Sequence, residues 1–273
     1  MAAVRVLGKM DKIAREVLFQ ALSDEHWRVR AGAAVALGSH ASDVVVNQLI
    51  LATKDKHQAV RSAAVRSLGR IGNTKATESI VRALQDSNQL VRKNAAKALG
   101  IMKDAQAALP LISVLQDEDA VQREVIAALG QIGQPALSPL AVIVADDGVD
   151  SGLRRFAAEA LVKVAYKMGE RGQSALLEKS APSLMVGLRA ENGALRKASA
   201  DALVMIGQPA FGVVGEALFT DKNSAVRAEA ASILGRSGAA KSWYAEAGDL
   251  LIVSLDDQVE SGRLMGQESL VRI

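Results

Sequence analysis

The sequence predicts an all-α protein in which two-helix repeats stack on one another as an α-solenoid. Three observations support this prediction: one phrase recurs along the 273 residues, the apolar residues within it are spaced as in a helix, and small aliphatic residues dominate a composition with only 3% aromatics. A fixed period of tens of residues is typical of proteins in which each repeat buries its apolar face against its neighbours.

The recurring phrase is clearest at residues 55–72, where the sequence reads DKHQAVRSAAVRSLGRIG. Its first arginine recurs at intervals of 31 residues, at Arg30, Arg61, Arg92, Arg123 and Arg154. The next interval, to Arg196, is 42 residues, and this excess predicts an insertion near residues 166–179. We therefore predict one solenoid domain over residues 1–273, with about eight repeats and a partial helix at the N-terminus.

Each repeat is predicted to contain a shorter first helix, a polar turn with an aspartate, and a longer second helix. At 100° per residue, the Val before the Arg, the Ala pair and the Leu of the second helix share one side, which we expect to be buried. The glycine after the Leu, as at Gly69, would let a neighbouring helix approach closely, and the next glycine, as at Gly72, falls where a left-handed helix end is expected. We expect the Asp to cap its own second helix and the Arg to reach the adjacent repeat.

The recurrence of Asp-x5-Arg (Asp55 to Arg61), Ala-Ala, Leu-Gly and Ile-Gly over nearly the whole chain resembles the HEAT-repeat family. The resemblance is strongest to its bacterial branch of HEAT-like repeats named after the phycobilisome lyases. It implies a right-handed superhelix whose concave face is lined by the second helices. It also implies a range of functions, because the family contains scaffolds, adaptors and a few enzymes, bilin lyases among them.

Catalytic and metal chemistry finds little support in the residues. The chain has no cysteine, which excludes disulfides, thiolate catalysis and Cys-based metal sites. His26 and His57 occupy the same position in successive repeats, but stacked helices lie about 8–10 Å apart and a third ligand is missing, so we expect solvent-edge histidines. The chain lacks the His-Glu pairs of deoxyhypusine hydroxylases, and Trp27 and Trp243 lie too far apart to resemble the aromatic cluster of HEAT-like DNA glycosylases. No catalytic residue, metal or cofactor is therefore predicted.

The best functional signal is a row of cations on the side of the second helices opposite the predicted core. We call this row the basic stripe; it comprises Arg5, Lys9, Trp27, Arg28, Arg66, Arg70, Lys93 and Lys97. Farther along the chain acids such as Glu124 and Glu159 enter the same positions, so the net charge of +3 conceals a local excess. A row of one sign attracts anionic partners, whereas an ordinary solvated face alternates signs. We predict a non-catalytic scaffold or adaptor whose basic concave face binds an acidic or helical segment of a partner protein.

Three alternatives remain open at this point. The stripe could bind a nucleic-acid backbone, although the scarcity of aromatics argues against single-strand recognition. By resemblance, the chain could be a subunit of a bilin lyase or a chromophore chaperone, the one enzyme alternative that we keep. The stripe could also be an ordinary solvated surface.

The chain ends and the hydropathy suggest further expectations. Residues 1–10 show no signal-peptide pattern, and no apolar run approaches the roughly 20 residues that span a bilayer, so we expect a soluble cytoplasmic protein without membrane insertion. Residues 1–10 align with the second half of a second helix, and residues 270–273 stop just before an expected glycine. Because neither end carries the polar cap typical of terminal repeats, we expect a longer array or end-to-end contact with another chain.

Overall fold

The structure, a computed structural model, describes residues 13–238. Within that range every regular element is helical. The chain divides into two compact units, residues 1–132 and residues 133–273. The assignment of residues 1–273 to one solenoid of about eight repeats stays a prediction. The basic-stripe residues Arg5 and Lys9, and both chain ends, lie outside the described residues.

In the first unit, residues 13–21 form helix α1, and the following helices alternate between the two predicted kinds. We call the shorter first helices of the repeats A helices and the second helices B helices. The B helices are α2 (Trp27–Leu37), α4 (Gln58–Ile71), α6 (Gln89–Met102) and α8 (Asp119–Ile132), and the A helices are α3 (Asp43–Ala52), α5 (Thr77–Ala83) and α7 (Ala108–Ile112). The 3-10 helices Thr74–Ala76 and Ala105–Ala107 precede α5 and α7. Within this unit each of α2, α4 and α6 packs against the next B helix, and each of α4, α6 and α8 packs against the A helix before it.

The second unit continues the alternation. Its A helices are α9 (Gln134–Ala145), α11 (Ala181–Leu188) and α13 (Phe211–Thr220), and its B helices are α10 (Ser151–Glu170), α12 (Gly193–Ile206) and α14 (Ser224–Gly238). In the described part of the chain no single helix is long and apolar enough to cross a membrane; the pair Gly193–Ile206 and Gln208–Thr220 meets the length and composition criteria only together, and it is bent by 118°.

The excess residues of the second unit extend a B helix and add a 3-10 helix. Helix α10 has 20 residues, whereas α12 has 14. The 3-10 helix Ser174–Ser180 then leads into α11. The residues near 166–179 therefore lie at the end of α10 and in the segment that connects it to the next A helix.

The buried side of the B helices is the side that the sequence predicts. In α4, Val60, Ala64 and Leu68 are buried, whereas Arg66 and Arg70 are exposed. The equivalent apolar residues of α6 are buried in the same way. Because the buried stripe consists largely of alanines and one leucine, neighbouring B helices can pack closely without the bulk of aromatic side chains.

Glycine permits the closest contacts between B helices. A Cβ on Gly69 would lie 2.5 Å from the Cβ of Ala98, and one on Gly100 would lie 2.8 Å from the Cα of Ala128. The predicted close approach at these glycines is therefore confirmed. Gly72 ends α4 with φ of 72°, the expected left-handed helix end, and Lys103 takes the same position after α6 with φ of 53°.

Candidate functional site

The regularly spaced arginines of helices α2, α4 and α6 in the first unit form a ladder of arginine–aspartate pairs between repeats. Arg61 Nε donates to Asp86 Oδ2 at 2.6 Å, and Arg61 Nη2 donates to Asp86 Oδ1 at 2.7 Å. Arg61 Nη1 donates to the carbonyl oxygen of Asp55 at 3.0 Å, which ties the same side chain to its own turn. The pairs Arg30–Asp55 and Arg92–Asp117 repeat this geometry. We call these three pairs the ladder; each joins one repeat to the next by a bidentate, charge-assisted contact.

The ladder aspartates also receive backbone hydrogen bonds from the start of their own B helix. The backbone N–H of His57 donates to Asp55 Oδ1 at 2.7 Å, and the N–H of Asn88 donates to Asp86 Oδ1 at 2.9 Å. Burial acts to raise the pKa of Asp55, but the hydrogen bonds from Arg30 and from the His57 N–H outweigh it and hold that pKa below its ordinary value. The helix caps themselves are His57 and Asn88, so the expectation that the Asp is the cap was wrong by two residues.

Helix α8 departs from the arginine spacing that the sequence suggested. Arg123 is exposed, while Gln122 is buried and donates from Nε2 to the carbonyl oxygen of Leu115 at 2.7 Å. Gly130 follows Gly100 by 30 residues, so the structural repeat here is one residue shorter than the interval from Arg92 to Arg123. The ladder position of α8 is therefore Gln122, and the assignment of Arg123 to that position was wrong.

The second unit uses its charged residues differently. Arg154 is buried; its Nη1 pairs with Asp147 and its Nε donates to the carbonyl oxygen of Val144 at 3.0 Å. The carboxylate of Asp221, which aligns with the ladder aspartates, accepts from Arg189 Nε at 2.6 Å. The regular ladder thus belongs to the first unit within the described residues.

The described cations of the basic stripe lie where their charge is open to solvent. Arg28, Arg66, Arg70 and Lys97 are exposed, and Lys93 is half-buried. Within residues 13–238 none of the five forms a hydrogen bond or an ion pair through its side chain. Arg66 and Lys97 occupy the same position on the adjoining helices α4 and α6, 31 residues apart. The structure therefore separates two kinds of B-helix cation, one neutralised in the ladder and one unpaired at the surface.

Trp27 differs from the other members of the stripe because it packs between repeats. Its ring stacks on His57 with centroids 4.1 Å apart and an interplanar angle of 4°, and the Arg28 guanidinium lies 4.8 Å from the Trp27 ring centroid. His57 Nδ1 accepts from the backbone N–H of Ala59 at 3.2 Å. His57 is half-buried and so keeps some contact with solvent, but it also caps α4 and stacks on Trp27, two roles that the sequence did not indicate. Trp27 is half-buried, and the ring face that stacks on His57 is not available to a partner.

Among residues 13–238, no three His, Asp or Glu side chains are grouped so as to hold a metal ion. The alternating A and B helices, with the B helices of each unit packed in sequence, define the class of the protein as an α-solenoid of two-helix repeats. The family model for HEAT repeats matches residues 46–121, in agreement with the family that the sequence resembles.

The chain is similar to several solved structures, and one of them, with a TM-score of 0.56, supports the fold. A chain from a structure of Kap95p with RanGDP is 12% identical, with a TM-score of 0.56, and the match covers 95% of this chain and 40% of that chain. Human deoxyhypusine hydroxylase is 20% identical with a TM-score of 0.41, and the match covers 97% of this chain and 98% of that chain. A chain from the complex of CpcE and CpcF of phycocyanin lyase from Nostoc sp. PCC7120 is 20% identical with a TM-score of 0.40, and the match covers 94% of this chain and 93% of that chain. No curated protein matches the chain. None of these similarities assigns an activity.

Proposed function

We propose that the basic stripe of the first unit binds an acidic segment of a partner protein and that the chain acts as a non-catalytic scaffold. The observation that carries this proposal is the contrast between the two sets of B-helix cations. The ladder arginines each have an aspartate at hydrogen-bond distance, whereas Arg28, Arg66, Arg70 and Lys97 have no acidic partner within the described residues.

The arrangement favours an extended or helical anion over a small one. Arg66 and Lys97 lie on successive B helices at equivalent positions, and Arg70 lies one turn after Arg66 on the same helix. Unpaired surface cations of one sign raise the local concentration of an acidic segment and speed its association. Their long side chains also remain free to adapt to carboxylates at different spacings.

The test uses the full chain and fluorescently labelled helical peptides in a fluorescence-anisotropy titration. The probe peptide carries glutamates along one face and leucines beside them, and a second peptide replaces the glutamates by lysines. We expect the wild-type chain to bind the glutamate peptide at least about tenfold more tightly than the lysine peptide. The variant Arg66→Glu/Arg70→Glu should lose at least about tenfold in affinity for the glutamate peptide.

The matched control is Lys179→Glu/Lys222→Glu, which changes the net charge equally at two exposed lysines of the second unit, outside the stripe. This control should bind the glutamate peptide within about twofold of wild type, because it alters only the overall charge of the protein. Equal losses in the two variants would refute the proposal. Duplex DNA as a competing probe supplies a further test: tighter binding to DNA, with affinity falling linearly in log salt, would also refute it in favour of a nucleic-acid backbone.

A further inference from the structure

Exposed aliphatic side chains accompany the cations on helix α6. Leu90 is 57% exposed and Ile101 is 55% exposed. Residues 90, 97 and 101 are separated by seven and then four positions, so Leu90, Lys97 and Ile101 share one face of the helix. That face therefore presents an aliphatic side chain on each side of a cation.

A cleft of about 490 Å³ opens beside this face, between α6 and α8 in the first unit. Ile101 and Ala127 contribute apolar surface to it, and Lys97 and Lys103 contribute its cations. The helices can approach at the base of the cleft because Gly100 has no side chain to meet Ala128. A volume in this range is enough for a side chain of a bound segment, since ligand pockets begin at about 300 Å³.

The two walls of the cleft carry opposite charges. Lys97 and Lys103 belong to α6 and its C-terminal end, and Glu124 faces them from α8. Within residues 13–238 none of these three side chains forms an ion pair or a side-chain hydrogen bond. A carboxylate of a bound segment is therefore attracted toward α6 and repelled from α8, which restricts the orientations that the segment can adopt.

We infer that this cleft binds an aliphatic side chain of an acidic amphipathic helix in the partner protein. This inference rests on the proposed function and makes it more specific: acidity brings the segment to the stripe, and an apolar residue between its acids fits against Ile101. The helix places carboxylates toward Lys97 and Lys103 and neutral or basic residues toward Glu124. Helices that combine an apolar face with flanking charges dock into grooves in this manner.

The experiment adds a third peptide, in which serines replace the leucines of the glutamate peptide. Wild type should bind the leucine peptide about tenfold more tightly than the serine peptide, since burying one large aliphatic side chain is worth about that factor. Ile101→Ser should remove most of this difference, because the aliphatic contact is then lost on the protein side. The matched control Leu109→Ser, at an aliphatic residue 65% exposed on the A helix α7, should preserve it.

Glu124→Gln should tighten binding of the leucine peptide by about two- to fivefold, because a repulsive carboxylate is removed from the cleft. Equal binding of the leucine and serine peptides to wild type, with both lost in Arg66→Glu/Arg70→Glu, would overturn the inference and leave the proposed function standing. Failure of every acidic peptide to bind would overturn both. If Ile101→Ser instead converts a self-associated protein to monomer in sedimentation velocity without changing peptide binding, a second copy fills the cleft and the inference is wrong.

Discussion

The clearest consequence of the structure concerns two arginines of helix α4 that lie five residues apart. Arg61 belongs to the ladder, and its side chain is 16% exposed against 10% for its partner Asp86. Arg66 is exposed and belongs to the basic stripe. Replacing each by alanine removes the same positive charge from the same helix, so the difference between the two variants isolates the ladder contact.

The size of the difference follows from what each substitution leaves behind. Arg61→Ala removes two hydrogen bonds to the carboxylate of Asp86 and one each to the carbonyl oxygens of Asp55 and Lys56. Breaking a fully buried pair costs about 3–5 kcal/mol, because the remaining charge is left without a partner. Since this pair keeps some contact with solvent, we expect a loss of about 2–4 kcal/mol in the free energy of unfolding. Arg66→Ala should change it by less than about 0.5 kcal/mol.

Urea denaturation followed by circular dichroism measures both changes from the transition midpoints at constant slope. The double variant Arg61→Ala/Asp86→Ala should cost less than the sum of the single variants, because the charges are removed together. Equal costs for Arg61→Ala and Arg66→Ala would refute the division of the B-helix cations into ladder and stripe. So would a loss below about 1 kcal/mol for Arg61→Ala, the range typical of surface pairs.

Three further predictions concern helix packing, helix ends and acid stability. Gly69→Ala should lower the free energy of unfolding by about 1–3 kcal/mol, since its Cβ would overlap the next B helix. Gly32→Ala should raise the free energy of unfolding by about 0.5–1 kcal/mol, because a Cβ at this position meets nothing within 4 Å. Urea denaturation measures both variants, and a change of the same sign in the two would contradict the packing argument. Lys103→Gly should raise the free energy of unfolding by about 1 kcal/mol and Gly72→Ala should lower it by a similar amount, because both residues adopt the left-handed backbone conformation that favours glycine. Thermal melts in which the two variants do not shift the melting temperature in opposite directions would contradict this prediction. The ladder carboxylates have lowered pKa values in the fold. At Asp55 and Asp86 burial acts to raise the pKa, but the hydrogen bonds from the arginine and from the backbone outweigh burial. At Asp117 the hydrogen bond from Arg92 is the leading cause of the lowered pKa. The folded state therefore binds fewer protons than the unfolded chain, so their stabilisation is complete above the unfolded pKa of about 4 and is lost as pH falls through the lower folded values. Unfolding titrations in acid should show a shallower loss for Asp86→Asn than for wild type, and a parallel pH dependence of the two proteins would contradict this assignment.

Local features were predicted well where one residue type permits one arrangement. The close approach at Gly69 and the left-handed end at Gly72 follow from the absence of a side chain, and the structure contains both. Lys103 shows the limit of that reasoning, because a lysine holds the same left-handed conformation that glycine holds one repeat earlier. The hydrogen bond from the Lys103 N–H to the carbonyl oxygen of Leu99 completes the helix end at that position.

The sequence predicted the wrong ladder residue in α8, where two long polar side chains are adjacent. Arg123 preserved the arginine interval, yet the buried ladder position of α8 belongs to its neighbour Gln122. The burial of Val121 and Val125 decides this, because the apolar stripe must face the adjacent B helix and one residue rotates a helix by 100°. The hydrophobic pattern was the better guide than the charge pattern.

In the candidate site, too, the sequence predicted which side chains are exposed but not which contacts join two repeats. Helical periodicity was sufficient to place Arg66, Arg70 and Lys97 on the exposed side of their helices, as the structure has them. It could not show that Trp27 stacks on His57, because that contact joins two repeats. The sequence also did not predict the cleft beside Ile101, because the cleft depends on how closely α6 and α8 approach each other.

The sequence by itself determined the repeat, the alternation of helices and the face that each B helix buries, because all of these depend on spacing within a few turns of one helix. Tertiary structure decided which aspartate each ladder arginine reaches, which cations remain unpaired and where a cleft opens. Those outcomes depend on distances between side chains about 25 residues or more apart, such as Arg61 and Asp86. Local periodicity orients a side chain on its own helix, and only the packing of the helices supplies its partner.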